Sequence, residues 1–380
     1  MMKALLLSAY DAESHRVWRE NLYAMLPQIE WTTLTLPPRY FPWRVRGNSL
    51  TWAFNHRPAL TDNHDFLLCT SMTDLSALRG FVPGLAHLPT IVYCHENQFA
   101  YPENPDPQAA RTNPVEPQML SLYTALCADR LVFNSDWNRR SFLDGATALL
   151  RKLPDHVPDG LVERLARAEV LPVPLAPTLF QPRRPHAEPD VLNIVWNHRW
   201  EYDKGPELLL AIVDNLLARG LRFRLHLLGQ RFRQAPAEFA ALQSRLAHWY
   251  TLAGIAPGIT GFIEDRDEYR ELLARSDVVL STALHDFQGL AVLEASALGC
   301  APLAPQRLVY PEYLGPESLY AGTGTLDEQA ASAAARLSDW AGRKRAGEAL
   351  PRAMLEPFHP RTLCSRYEAL IHSLFSQPAA

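Results

Sequence analysis

The sequence reads as two doubly wound α/β domains, and three features carry that reading. Short apolar runs rich in Leu, Val and Ile recur along most of the 380 residues, as strands buried on both faces of a parallel sheet require. Stretches with helical spacing separate these runs, which is the alternation of βαβ units. The alternation breaks once, where prolines stand at 177, 182, 185 and 189. Proline fixes φ and lacks an N–H, so neither helix nor ladder continues through such a stretch. The length agrees, since roughly 150 residues per domain gives two or three domains.

In chain order, strands are expected at 3–10 (KALLLSAY), 31–37, 66–71, 90–96 (TIVYCHE), 130–135 and 169–175. Helices are expected at His15–Leu26, Glu116–Cys127 and Asp136–Leu143, with Asn134 and Ser135 suited to cap the last of these. Pro177–Pro189 is the expected linker. The second half restarts with a strand at 192–197 (LNIVWN) and a helix at Pro206–Arg219. A strand at 223–229, a helix at Glu238–Leu252, strands at 258–264 and 278–284, a helix at Leu290–Leu298 and a strand at 301–305 follow. The last helix, Thr362–Phe375, comes after the breaker Pro357–Pro360. The expected division is residues 1–178, residues 190–358, and a terminal helical segment 360–380. Ligands of doubly wound sheets bind at the carboxyl ends of the strands, so each domain is expected to present those ends to a crevice.

Composition narrows the classes. Hydrophobic residues make up 47% and charged residues 21%, which excludes a disordered chain. No apolar run approaches the roughly 18 residues of a membrane helix. The opening MMKALLLSAYDAESH meets acidic and polar residues by Asp11, so it reads as a first strand rather than a signal peptide. A net charge of −4 argues against a basic footprint over the whole protein but leaves room for a local basic face. The five cysteines have no CxxC spacing, which argues for a reducing cytoplasm and against a disulfide framework or zinc site. The expectation is a cytoplasmic protein with no membrane span and no metal.

Two segments of the second half carry chemistry. In VWNHRWEYDKGPELLL (195–210), Arg199 and Lys204 lie between the end of a strand and the start of a helix. Two cations over a helix N-terminus favour phosphate, Arg as a two-pronged fork and Lys as a point charge. Spacing alone is equally served by a solvated Arg and Lys. In STALHDFQGLAVLEASALGC (281–300), Asp286 follows a strand, Gly289 and Leu290 open a helix, and Glu294 lies inside it. Gly289 lets backbone approach a ligand, and two carboxylates at that spacing suit two polyol pieces such as a ribose and a hexose. The plainer reading makes Asp286 an N-cap, but Glu294, set among Leu290, Val292, Leu293 and Ala295, calls for a specific partner. Asp265-Arg266-Asp267 has metal-motif spacing but stands where Asp caps a helix.

In the first half, His95, Glu96, Asn97 and Gln98 follow the strand TIVYC at its carboxyl end. His95 there suits hydrogen bonding to a sugar or removal of an acceptor proton. Glu96 and Asn97 suit setting its tautomer or binding a diol. Ser14 and His15 follow the first strand and face the same end. Core packing and helix capping are the alternative roles for these residues.

The two second-half segments resemble the donor half of retaining glycosyltransferases of the GT-B architecture, the glycogen synthase-like and sucrose synthase-like family. Its Arg-x4-Lys pair is matched by Arg199 and Lys204, and its Glu-x7-Glu motif by Asp286, Gly289, Leu290 and Glu294, with Asp286 standing where the family has Glu. The resemblance implies two Rossmann-like domains facing a central cleft and a last helix that folds back to the first domain. It also implies a donor diphosphate on the two cations, Asp286 on the sugar and Glu294 on the ribose. The strings SHRVW (14–18), YCHENQFAYP (93–102), FNSDWNRRSF (133–142) and WNHRWEYDK (196–204) are similar to the tRNA-queuosine mannosyltransferase subgroup, over roughly 3–315. One departure is the turn before Ser14, which reads Asp11-Ala12-Glu13 where the subgroup is glycine-rich.

That narrower resemblance implies retaining transfer of mannose from GDP-mannose, with no cofactor, to the cyclopentenediol of queuosine in tRNA for Asp. His95, Asp286 and Lys204 are then the expected catalytic residues. Ser14, His15, Glu96, Asn97 and Asn134 are expected on the acceptor side. Trp52, Tyr101 or Trp137 would stack on an unstacked base, and pairs such as Arg139-Arg140 and Arg183-Arg184 would meet RNA backbone. The alternatives are the same chemistry on a glycan, lipid or small molecule, or a catalytically silent nucleotide-sugar- or RNA-binding protein. Asp286 favours the silent form; Arg199, Lys204 and Glu294 together speak against it.

Overall fold

A computed structural model of the chain describes residues 1–102, 115–154, 157–180, 188–231 and 235–376. The chain divides into two compact units, Met1–Pro174 together with Pro357–Ala380, and Leu175–Glu356.

The first unit runs β1 (Met2–Ser8), α1 (Glu13–Met25), β2 (Ile29–Thr35), α2 (Phe41–Asn55), α3 (Arg57–Leu60), β3 (Phe66–Thr70), α4 (Leu75–Phe81), β4 (Thr90–Cys94), α5 (Val115–Leu126), β5 (Arg130–Phe133), α6 (Asp136–Leu150), α7 (Leu161–Ala166) and β6 (Glu169–Val170). Its six strands are ordered β2-β1-β3-β4-β5-β6, all parallel. Every residue of β3 and β4 is buried, so both faces of these strands are covered, as their unbroken apolar runs require. The expected strand at 169–175 shrinks to β6, because Pro172 and Pro174 have no N–H to give a ladder.

The second unit runs β7 (Leu192–Asn197), α8 (Pro206–Ala218), β8 (Phe223–Leu228), α9 (Glu238–Ala253), β9 (Thr260–Gly261), α10 (Arg266–Arg275), β10 (Val278–Leu280), α11 (Leu290–Ala297), β11 (Ala301–Pro305), β12 (Leu319–Tyr320) and α12 (Leu326–Arg345). The order is β12-β11-β10-β7-β8-β9, again parallel. The chain enters at the middle with β7, builds outward to β9, and crosses back to β10. The order therefore reverses between β7 and β10, the switch point where such sheets bind ligands. Two expected strands contract: 258–264 to β9 and 278–284 to β10. After Leu280 the backbone leaves the sheet to clasp the loop after β7.

The chain ends in α13 (Pro360–Ser373), which belongs to the first unit. Pro360 opens this helix rather than breaking it, since the first helical position has no N–H partner to lose. Trp18 Nε1 donates to Tyr367 Oη (3.1 Å), and Tyr367 Oη donates to the Pro172 carbonyl (3.0 Å). Arg130 Nε donates to Ser373 Oγ at 2.9 Å. Of the expected linker, residues 181–187 lie outside the described residues.

Candidate functional site

In the second unit, the loops after β7 and β10 meet at the switch point. Gly205 has φ +65° and packs against the Thr282 carbonyl so closely that no Cβ fits. Thr282 Oγ1 donates to the Lys204 carbonyl (2.7 Å), and the Leu284 amide donates to the Asp203 carbonyl (2.8 Å). These bonds set Lys204 against Asp286. Lys204 is 9% exposed; its Nζ donates to the His285 carbonyl (2.7 Å) and lies 3.2 Å from Asp203 Oδ2 and 4.0 Å from Asp286 Oδ1. Arg199 keeps its guanidinium in the open, with Nη1 at 2.9 Å from Glu201 Oε2 and Nη2 at 3.9 Å from Asp203 Oδ2.

Asp286 Oδ2 accepts from Tyr310 Oη at 2.8 Å, and Tyr310 Oη lies 2.6 Å from Ser281 Oγ. Burial pushes the Asp286 carboxyl up, but Lys204, His198, the Tyr310 hydroxyl and His285 outweigh it and hold the group below the usual carboxylate range. Asp286 is therefore an anion with a fixed partner, not the N-cap of α11. The residue before α11 is Gly289, at φ +71°, and a Cβ there would come 2.5 Å from Tyr313 Oη. With no side-chain cap, the first amides of α11 are left facing the same loop. Glu294 lies further along α11, where its charge acts on Tyr269. Asn197 Nδ2 ties Tyr269 Oη (2.9 Å) to the Ala291 carbonyl (3.0 Å).

Sequence reasoning missed His198, Tyr310 and Tyr313. Burial drives the His198 imidazole down to about 4, with Asp286 opposing, so it is neutral at pH 7. Its Nε2 is buried and unpartnered. Its place beside Arg199 was the one sequence signal for it; the tyrosines follow β11 and had none.

In the first unit, His15 and His95 come together, with ring centroids 4.1 Å apart. Trp18 and Tyr93 wall in His95, at 4.7 and 4.8 Å. Burial, reinforced by His15, holds His95 well below the ordinary imidazole value. Burial also lowers His15, against the pull of Glu96 and Asp11. Nε2 of each ring is buried without a protein partner, so each neutral imidazole keeps one polar atom able to take a hydrogen bond. Ser14 Oγ lies 3.4 Å from His15 Nδ1. Glu96 Oε2 accepts from Tyr101 Oη at 2.7 Å.

Asn97 and Asn134 do different work from that expected of them. Asn97 Nδ2 donates to Asn138 Oδ1 (2.8 Å) and Ser141 Oγ (2.9 Å), and its Oδ1 accepts from the Phe99 and Ala100 amides. Asn134 Nδ2 donates to the His95 carbonyl (2.9 Å) and its Oδ1 accepts from Asn138 Nδ2 (2.8 Å). The three amides form a buried ladder that fixes the His95 loop, leaving Asn97 no free arm. Ser135 caps α6 by accepting from the Asn138 amide, whereas Asn134 does not cap it.

Of the expected base-stacking residues, Trp52 is wholly buried. Arg139 and Arg140 are both paired with Asp136, while Arg183 and Arg184 lie outside the described residues. Asp265 Oδ1 accepts from the Asp267 and Glu268 amides, so it caps α10. Among the described residues no group of three or more His, Cys, Asp or Glu side chains is arranged to hold a metal, and no helix is long and apolar enough to cross a membrane.

Against known proteins, residues 3–175 match the model for the N-terminal part of tRNA-queuosine alpha-mannosyltransferase, and residues 181–349 match glycosyl transferases group 1. The Drosophila melanogaster tRNA-queuosine alpha-mannosyltransferase is 30% identical over 336 residues, spanning 86% of this chain and 85% of that protein. Among solved structures, sucrose-phosphate synthase from Thermosynechococcus elongatus superposes with a TM-score of 0.66 at 13% identity, covering 99% of this chain and 100% of that one. A UDP-forming trehalose-phosphate synthase from Burkholderia xenovorans gives 0.61 at 15% identity, with 99% and 100% covered. These two likenesses concern the fold, two Rossmann-like domains of the GT-B type.

Proposed function

Since the chain belongs to the tRNA-queuosine alpha-mannosyltransferase family and is a glycosyltransferase, we propose that it moves mannose from GDP-mannose, with retained configuration, to the cyclopentenediol of queuosine in tRNA for Asp. The observation that carries the donor half is the buried ammonium of Lys204, fixed beside Asp286 at the switch point of the second sheet. A diphosphate there takes Lys204 as a point charge and the uncapped amides of α11 as hydrogen-bond donors. Arg199, exposed and ion-paired with Glu201 and Asp203 at the surface, turns to the phosphate as a fork. Asp286, kept ionised, accepts hydrogen bonds from the sugar, and Glu294 from the ribose. His198 Nε2 is a further neutral polar atom for the donor.

The bond from sugar C1 to the β-phosphate oxygen breaks, and its electron pair stays on the phosphate. Lys204 and Arg199 stabilise that charge as it forms, in fixed positions that need no rearrangement during reaction. An acceptor hydroxyl bonds to C1 on the face the phosphate leaves, and its proton passes to the departing phosphate oxygen. The acceptor is assigned to the first unit, where His15 and His95 offer their unpartnered Nε2 atoms to diol hydroxyls and Ser14 and Glu96 flank them. Asn97 and Asn134 are positioning residues for His95. No cofactor enters this scheme, and a cytoplasmic setting suits both the tRNA acceptor and the undisulfided cysteines.

The test is to incubate the protein with queuosine-containing tRNA and a panel of nucleotide sugars, then weigh the modified nucleoside. The expected product is queuosine heavier by one hexose, with GDP-mannose alone. An unchanged mass with every donor removes the tRNA assignment.

A further inference from the structure

Trp43 stands in the first turn of α2, 57% exposed, on a helix the sequence reading did not anticipate. Its indole lies flat across Gly47, one turn on, so closely that a Cβ at Gly47 would run into the ring. Glycine in mid-helix is unfavourable against alanine; here it leaves the space in which a large aromatic is pinned with one face open. Of the cations on this segment, Arg46 is paired with Asp74 and Glu116, which leaves Arg39 and Arg44. Arg44 is only 8% exposed, its Nε is buried without a partner, and among the described residues it makes no ion pair. A largely buried arginine with no ion pair gains from an anion that reaches its outer nitrogens. Arg44 is the fourth residue of α2 and so belongs to the same first turn, and helical side chains lean toward the N-terminus.

That turn has no acidic residue and no side-chain cap from Tyr40, so nothing within it offsets the positive end of the helix dipole. Just before it, Arg39 lies over the ring of the exposed Tyr40, 5.8 Å from its centroid. Aromatic faces beside unpaired cations suit a nucleic acid strand, whose bases stack and whose phosphates pair. An apolar protein surface would cover Trp43 but leave Arg44 without a partner.

Resting on the tRNA reading above, we infer that the amino-terminal turn of α2 is a landing site for single-stranded RNA, with an unpaired base stacked on Trp43 and the adjoining phosphate held by Arg39 and Arg44. Its position fits that role. Both α2, which follows β2, and His95, which follows β4, leave the sheet at its carboxyl edge, and the strand order sets β2 three places from β4. At about 4.8 Å per strand that is roughly 14 Å, the reach of a few nucleotides.

The experiment measures binding of labelled queuosine-containing tRNA to the full chain over a series of salt concentrations. Trp43→Ala is expected to weaken binding by roughly five-fold or more, with the salt slope unchanged, because base stacking is lost and phosphate contacts are not. Trp43→Phe keeps most of the affinity. Arg39→Gln lowers the slope of log K against log salt by about one. Melting curves establish that each variant is folded. Wild-type affinity in folded Trp43→Ala, while the unaltered protein binds and mannosylates tRNA, overturns this surface and spares the tRNA reading. Loss of self-association in Trp43→Ala with RNA affinity intact assigns the patch to protein contact and overturns it too. Failure of the unaltered protein to bind any tRNA overturns both.

Discussion

Lys204 and Asp286 come from loops more than eighty positions apart in sequence, yet each is held by the other's backbone neighbours. Removing the ammonium leaves the developing phosphate charge unmet and Asp286 without its cation. Lys204→Ala is therefore expected to cut turnover by roughly 100-fold or more, the scale of losing a positioned electrostatic donor, in a nucleoside mass assay. Near wild-type turnover would refute the diphosphate role. Three of the buried histidines, His15, His95 and His198, make a second prediction. All are held below 6.5 in the folded protein, His198 to about 4. Between those values and 6.5 the unfolded chain binds protons that the folded chain does not, so stability falls as pH drops through that window. Melting temperatures recorded from pH 7 to pH 4 should decline, and His198→Asn should flatten the curve. Arg199, Lys204 and Asp286 were legible as spacing, because one loop carries each motif. His198, Tyr310 and Tyr313 were not, because what makes them part of the site is packing between loops.

The elements that aim these residues are set by a few backbone requirements. Gly289→Ala puts a methyl against Tyr313 Oη at a positive φ that alanine resists, so donor binding should weaken more than overall stability falls; calorimetric titration with GDP-mannose reads the first and thermal melting the second. In the first unit, Asn138→Ala leaves the side chains of Asn97 and Asn134 and the Cys94 carbonyl short of partners. A cost of about 2–3 kcal/mol is expected in denaturant unfolding, since stranded buried polar groups carry their full desolvation penalty. Most strands were readable because a continuous apolar run has few other uses. Helix α2 escaped because its buried face includes Arg44, Asn48 and Ser49, which break the apolar period. Helix α12 escaped because much of its buried face is alanine, a weak signal against a charged exposed side.

The division into units follows the contact pattern rather than the order of the chain. The first unit is assembled from both ends of the sequence, with α13 supplying Tyr367 to Trp18 and Ser373 to Arg130. A chain truncated after Glu356 should melt at a lower temperature in its first unit, while the second keeps its response to GDP-mannose; equal melting of the truncated and full chains would contradict this. A proline-rich break was legible as a boundary, but a discontinuous unit leaves no local mark, because the returning helix looks like any other amphipathic segment. Its consequence reaches back to synthesis. The ribosome releases the partner of Trp18 only after the whole intervening unit has been made, on the order of ten seconds or more at ordinary elongation rates. For that time the nascent first unit carries an unsealed aromatic seam, a natural holding point for a chaperone. A stalled or prematurely terminated message would therefore yield a chain marked for disposal, even with its second unit finished.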